Sequence, residues 1–162
     1  HDYVIWATEL PGISRAWAFD CWHGLGTVGL AWVYDQRTDI IPTGTDREAM
    51  QAYLFRHQDP ATGTYVGKPG GIEVWPIPLT LKPVPLTIRG IPDTAAIRSA
   101  VTLSLQALFR SVSPGDTLLL SAIRTAIGSS TGVTDYELDL TTNQASENYE
   151  LLTLGAIAWR IV

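Results

Sequence analysis

Four prolines, Pro76, Pro78, Pro83 and Pro85, punctuate a run from Ile72 to Arg89 that is otherwise extended in character. Each one removes a backbone donor and fixes φ, so the run does not read as one central strand. It reads as two extended pieces, Ile72 to Leu79 and Val84 to Arg89, that are edge strands or a crossing segment between sub-domains. The boundary is expected near Leu81. A chain of 162 residues has room for two small domains.

In residues 1–80 the spacing predicts β-β-α-β. Ile13, Trp17 and Phe19 share one side of a strand, with Arg15 among them, and Val28, Leu30, Trp32 and Tyr34 alternate along a second. Between them, Asp20 to Gly26 has the length of a hairpin connection. Pro42 and Gly44 break the chain, and Thr45 and Glu48 stand in capping-box spacing. Met50, Tyr53, Leu54 and His57 continue at helical intervals toward Asp59-Pro60, and Ala61 to Gly71 is a Gly/Thr loop.

In residues 81–162 the order is β-α-β-α-β-β. Asp93 caps a helix whose inner stripe is Ile97, Ala100, Val101, Ser104, Leu105, Leu108 and Phe109. Leu118 to Leu120 is a short strand, Ser121 caps a helix holding Ile123 and Ile127, and Gly128 stops it. Tyr136, Leu138 and Leu140 alternate with Asp135, Glu137 and Asp139 in a strand with one wet face. Thr141 to Glu150 is a polar loop, and a last strand from Leu154 buries Ile157, Trp159 and Ile161. The fold class is α+β: two small α/β sub-domains, each a short mixed or antiparallel sheet with one or two packed helices.

The chain is 46% hydrophobic and 17% charged, enough apolar material for real cores. With a net charge of −5 and scattered basic residues there is no electrostatic case for nucleic acid. No apolar run approaches the roughly 18 residues of a membrane span, and no basic-then-apolar leader stands at the amino end. The chain begins at His1, which reads as a cut from a longer protein.

Gly24, Gly26 and Gly29 have the G-x-G-x-x-G spacing, but a dinucleotide site needs a helix immediately afterwards, and here a β-type run follows. A hairpin turn needing positive φ explains the glycines better. Gly63 to Pro69 is one residue short of a phosphate loop and has proline where the magnesium-binding hydroxyl belongs. Cys21 and His23 are close enough to touch but lack an orienting partner, and a free cysteine is more often a packing residue. His1, His23 and His57 lie far apart, and His57 reads as packed or hydrogen-bonded. Asp135, Glu137 and Asp139 could hold a hard cation, though a solvated strand face accounts for them. Six tryptophans exceed what the cores need, so an exposed one would favour an interface.

Taken in order, several segments resemble the carboxyl-terminal part of the baseplate J-like family. Pro11-Gly-Ile-Ser-Arg-Ala-Trp17 matches its "PG-V-x-R-V-x-V" strand, and Gly24-Leu-Gly-Thr-Val-Gly-Leu30 its "G-x-G-T-V-x-V" turn. Pro83-Val-Pro-Leu-Thr-Ile88, Pro114 to Ile123, Gly132 to Leu138 and Leu151 to Ile157 match later elements. Leu25, where proline is common, and the Trp22-His23 insert depart from the pattern.

The resemblance implies a structural part of a contractile phage-type or prophage-derived tail baseplate, located in the virion tail and assembled in the bacterial cytoplasm. It implies partners among other baseplate and tail proteins, and the residue-level reading agrees with it: no catalytic constellation, and so no enzyme activity or small-molecule substrate, no cofactor or metal, and no nucleic-acid or membrane partner. Exposure nominates Trp22, Asp135, Glu137, Asp139, Asn143 and Glu147 as interface candidates, and the detached piece is expected to be monomeric. Two alternatives stay open: a small nucleotide-binding or thiol enzyme using Gly24, Gly26, Cys21 and His23, and a free-standing module gripping a ligand with exposed tryptophans. A thermal shift with a nucleotide would favour the former, and a complete reading frame near this length the latter.

Overall fold

The fold was analysed in a computed structural model, which describes residues 2–161. The chain divides into two compact units, residues 1–78 and 79–162. Each is built of helices on small sheets, the α+β class.

The first unit runs α1 (Asp2–Glu9), β1 (Arg15–Asp20), β2 (Thr27–Val33), α2 (Gly44–Phe55), β3 (His57–Gln58), β4 (Tyr65–Val66) and β5 (Glu73–Pro76). Its main sheet has the order β1-β2-β5, with β1 antiparallel and β5 parallel to β2. A parallel neighbour needs a crossover, and the segment carrying α2 supplies it. Tyr3, Ala7, Val28, Leu30, Trp32, Tyr34, Met50, Leu54 and Val74 form the core. The helix α1 was not expected, because Tyr3-Val-Ile-Trp6 is a run of β-branched and aromatic residues with low helix preference. Burial of Tyr3 and Ala7, four residues apart, overrides it.

The structure departs from three local expectations in this unit. Ala16 and Ala18, with Ile13, pack toward the core, so Trp17 and Phe19 belong to the opposite face of β1, where the Arg15 guanidinium lies 5.4 Å from the Trp17 ring. Ile13 precedes the strand and does not share its alternation. The capping box is Thr43 with Asp46, two residues upstream of Thr45 and Glu48. Asp46 wins because its carboxylate also takes the Arg37 guanidinium at 2.6 and 3.2 Å. His57 falls outside α2, since Arg56 turns extended and ends the helix.

The Asp46 carboxyl is held far below its ordinary value, chiefly by the Arg37 hydrogen bond and further by the Thr43 backbone and hydroxyl. A depressed folded-state value stabilises above the ordinary carboxylate range, and the contribution drains away as pH falls below it. Asp46→Ala is therefore expected to cost about 1–2 kcal/mol at neutral pH. In urea titrations the gap between wild type and variant should close between pH 5 and pH 2.

The second unit runs β6 (Thr80–Ile91), α3 (Ala95–Phe109), β7 (Thr117–Leu118), α4 (Leu120–Gly128), β8 (Asp135–Leu138), β9 (Gln144–Ala145) and β10 (Glu150–Trp159). The sheet order is β10-β6-β8, with β10 parallel and β8 antiparallel to β6, and β7 pairs with β9 apart from it. Here the edge-strand reading fails, since Pro83 and Pro85 sit in the central strand, whereas Pro76 lies in β5 at the edge of the first sheet. The bonding parity explains how. Thr80 N donates to Tyr149 O and Ile88 O accepts from Arg160 N, so even-numbered residues of β6 turn their amides toward β10. Thr87 O accepts from Asp139 N on the other side. Pro83 and Pro85 thus aim their nitrogens at the β8 side, and β8 pairs only from Ile88 onward. No ladder donor is lost.

The expected α3 stripe is present, with Ile97, Val101, Leu105 and Phe109 buried. Its one polar member, Ser104, has its hydroxyl 2.9 Å from that of buried Ser130. Thr94, not Asp93, caps the helix by accepting from Ile97 N, because Asp93 forms a two-point pair with Arg98 at 2.9 and 3.0 Å. Likewise α4 begins at Leu120 without a cap from Ser121. At its other end Gly128 is the last helical residue, and Ser129 is the C-cap. The closing strand starts at Glu150 and ends before Ile161, which is 78% exposed and not buried as expected. A bulge between Leu154 and Ile157 resets the alternation, and the fully buried pair is Leu151 and Leu152.

Candidate functional site

The Cys21 to Gly26 segment is the tight connection between β1 and β2. Gly24 N donates to Cys21 O and Cys21 N to Thr27 O, while the Thr27 hydroxyl donates to Gly24 O at 2.6 Å. Gly24 and Gly26 have φ of +100° and +79°, which is the conformational reason for glycine there. Gly29 is glycine for space: a Cβ would lie 2.6 Å from Ile77 and 2.7 Å from Trp22. After the glycines the chain enters β2, so the helix that a dinucleotide fingerprint requires directly after them is not there.

The parallel pairing of Thr27 with Glu73 brings β5 beside this turn. The His23 ring stands edge-on between Trp22 at 4.2 Å and Trp75 at 4.7 Å, and Glu73 Oε2 accepts from Trp75 Nε1 at 3.2 Å. Leu25 at the turn's tip is 94% exposed and Trp75 is 42% exposed. Sequence reasoning nominated Trp22 but missed Trp75, because about fifty residues separate them and only the β2–β5 register joins them. The exposed Cys21 thus neighbours a histidine engaged with two indoles.

Lys68, from the segment that superficially suggests a phosphate loop, donates through Nζ to Ile72 O and through its backbone to Leu54 O. The acidic row is distributed otherwise than a cation site requires. Glu137 and Asp139 both grip Arg160, Asp139 at 3.0 Å, and Arg89 lies 3.7 Å from Glu137. These carboxylates raise the Arg160 pKa, with the Glu137 hydrogen bond as the largest cause. Asp135 accepts from the adjacent Tyr136 amide. Asn143 has an internal role: its Oδ1 accepts from Leu120 N at 2.8 Å, supplying the α4 cap that apolar Leu119 cannot. The supposed polar loop therefore includes β9 and a helix cap. Glu147 is exposed, with its amide donating to Glu150 Oε1.

His57 opens β3 and is buried. Its Nδ1 lies 2.8 Å from Tyr53 O, its ring stacks on the Tyr53 ring at 3.9 Å, and Trp6 meets it edge-on. It is packed and hydrogen-bonded, though not on the helix. His1 lies outside the described residues. Among the described residues, no three or more His, Cys, Asp or Glu side chains converge as a metal site, and no helix is long and apolar enough to cross a membrane.

The family model described as the Baseplate J-like central domain matches residues 1–78, and that of the Baseplate J-like protein C-terminal domain matches residues 84–160. The chain is 42% identical over 160 residues to baseplate protein gp47 of Escherichia phage Mu, covering 98% of this chain and 44% of that protein. It is 37% identical to the Mu-like prophage FluMu protein gp47 of Haemophilus influenzae, covering 98% and 45%. The JayE protein of Escherichia coli K12 is 32% identical, at 98% and 57% coverage. The chain thus spans less than half the length of the first two relatives.

Proposed function

Because this chain belongs to the baseplate J-like family, we propose that it is a structural component of a contractile phage-type or prophage-derived tail baseplate, acting through contacts with other baseplate and tail proteins. The observation that carries this reading is the pair of family matches, which between them account for almost every residue, alongside a relative named as a baseplate protein. The side chains agree with it. Those that most invited a catalytic reading, Lys68, His23 and the acidic row, are engaged in backbone, aromatic and arginine contacts that hold the fold.

The proposed contact surfaces are of two kinds. On the first unit it is the turn bearing Trp22 with exposed Leu25 and Trp75, a projecting aromatic and aliphatic group suited to a protein partner. On the second it is the polar margin with Asp135, Glu137, Asp139, Asn143 and Glu147. Of these, Asp135 and Glu147 are the freest to act, since Glu137, Asp139 and Asn143 already serve Arg160 and α4.

Immunogold electron microscopy of induced particles from the source strain, with antibodies against this chain, tests the proposal. Gold is expected at the distal end of contractile tails. Unlabelled particles whose denatured proteins also fail to react on a blot would exclude a virion component.

A further inference from the structure

We propose that the outer edge of β10 is a docking site that takes an extended segment of a neighbouring baseplate protein as a fourth strand. The inference rests on the baseplate reading and adds to it a surface and a mode of contact. β10 is an edge strand with β6 on one side. Tyr149 O accepts from Thr80 N at one end and Arg160 N donates to Ile88 O at the other, so both residues face β6. The bulge between Leu154 and Ile157 joins the two parities. Counting inward from each end, the amides and carbonyls of Leu152, Leu154, Ile157 and Trp159 point away from β6. On that side Gly115 N donates to Glu150 O at 3.0 Å, and among the described residues no other segment pairs with the edge.

The edge of the first sheet is closed by contrast. In β5, Glu73 N and Ile77 N turn toward β2, which leaves Val74 and Pro76 facing outward. Gln51 Nε2 caps the Val74 carbonyl at 2.7 Å and Pro76 has no N–H, so a further strand finds nothing to pair with. β10 has neither guard: from Leu151 to Trp159 it carries no charge and no proline. A long apolar edge of this kind pairs with another backbone unless something covers it.

The helix beside the edge leaves room for the side chains of such a strand. Arg98 lies 5.4 Å from the centre of the Trp159 ring, so the row Arg98, Thr102 and Gln106 runs along the β10 flank of α3. With Ser99 and exposed Leu103 it lines a cleft of about 360 Å³. A strand added to β10 sends alternate side chains to the α3 side, toward this cleft. What the edge lacks is a row of backbone partners, which an extended chain offers and a helix, bonded within itself, does not. A second copy fits badly. The antiparallel register that uses the whole edge sets Leu154 of one copy opposite Ile157 of the other. That register carries Ile161 to the place beside Glu150 that Gly115 already holds.

The test replaces exposed Ala158, beside the edge, with the photoreactive amino acid benzoylphenylalanine in the gene, and irradiates induced particles. A crosslink to a different tail protein is expected. It should be lost in Ile157→Pro, which removes an outward amide that the β6 ladder does not use. A crosslink to a second copy, to another part of the same polypeptide, or to nothing would overturn the proposal, as would one that Ile157→Pro leaves intact. Should Ile157→Pro fail to fold, amide exchange of wild type decides. Leu154, Ile157 and Trp159 are expected to exchange freely in the isolated chain and to be protected in the particle, and unchanged exchange on assembly overturns the proposal. A blot separates the two failures: a chain present in the particles but without a partner on β10 removes the docking site alone, whereas a chain missing from them removes the baseplate reading as well.

Discussion

Trp32→Ala is expected to cost the first unit about 3–5 kcal/mol, the range for removing a buried large aromatic. Trp32 is 2% exposed on β2, in a core to which α1 and α2 both contribute residues. Its loss leaves a void in the cluster that also holds Leu30, Met50 and Leu54, and the strand cannot collapse to fill it, since β2 is held by β1 and β5 on its two edges. There is a polar loss as well. Trp32 Nε1 donates to Tyr34 Oη at 3.2 Å within the core, and that phenol sits under the Arg37 guanidinium, 3.6 Å from the ring centroid. Trp32→Phe should recover much of the volume but not the donor, and so fall between wild type and Trp32→Ala. The urea midpoint and amide exchange along the β1–β2 ladder measure both variants. A loss below about 1 kcal/mol for Trp32→Ala would mean that the core repacks without the indole.

What the sequence disclosed follows the range of each signal. The alternation of Val28, Leu30, Trp32 and Tyr34 and the stripe from Ile97 to Phe109 are local patterns, and both lie where the spacing put them. The identities of helix caps shifted by one or two residues wherever an arginine intervened. Arg37 selects Asp46, and Arg98 withdraws Asp93, by contacts that spacing alone does not encode. Longer-range partnerships were beyond reach. The prolines of β6 look prohibitive until the parity of its bonds to β10 is known, and β10 lies some seventy residues away. The same limit applies to the candidate surface, where Trp22 is visible in the turn but Trp75 joins it only through the β2–β5 register.

The second unit offers a sharper separation of burial from residue type. Leu105 and Leu103 lie two residues apart on α3, so they project from different sides of the helix. Leu105 is fully buried and Leu103 is 66% exposed. Helix propensity changes identically when either becomes alanine, so any difference between the variants reports tertiary packing. Leu105→Ala removes apolar volume from the stripe that also holds Ile97, Val101 and Phe109, and should cost about 2–5 kcal/mol. Leu103→Ala should stay within about 0.5 kcal/mol of wild type. Urea titrations of the two variants, read by far-ultraviolet circular dichroism, make the comparison. If Leu103→Ala were instead as damaging as Leu105→Ala, the outer side of α3 would have to be covered in solution. Two comparably small losses would mean that α3 does not seat its stripe against the sheet, and the inner-face assignment of Leu105 would fall with it.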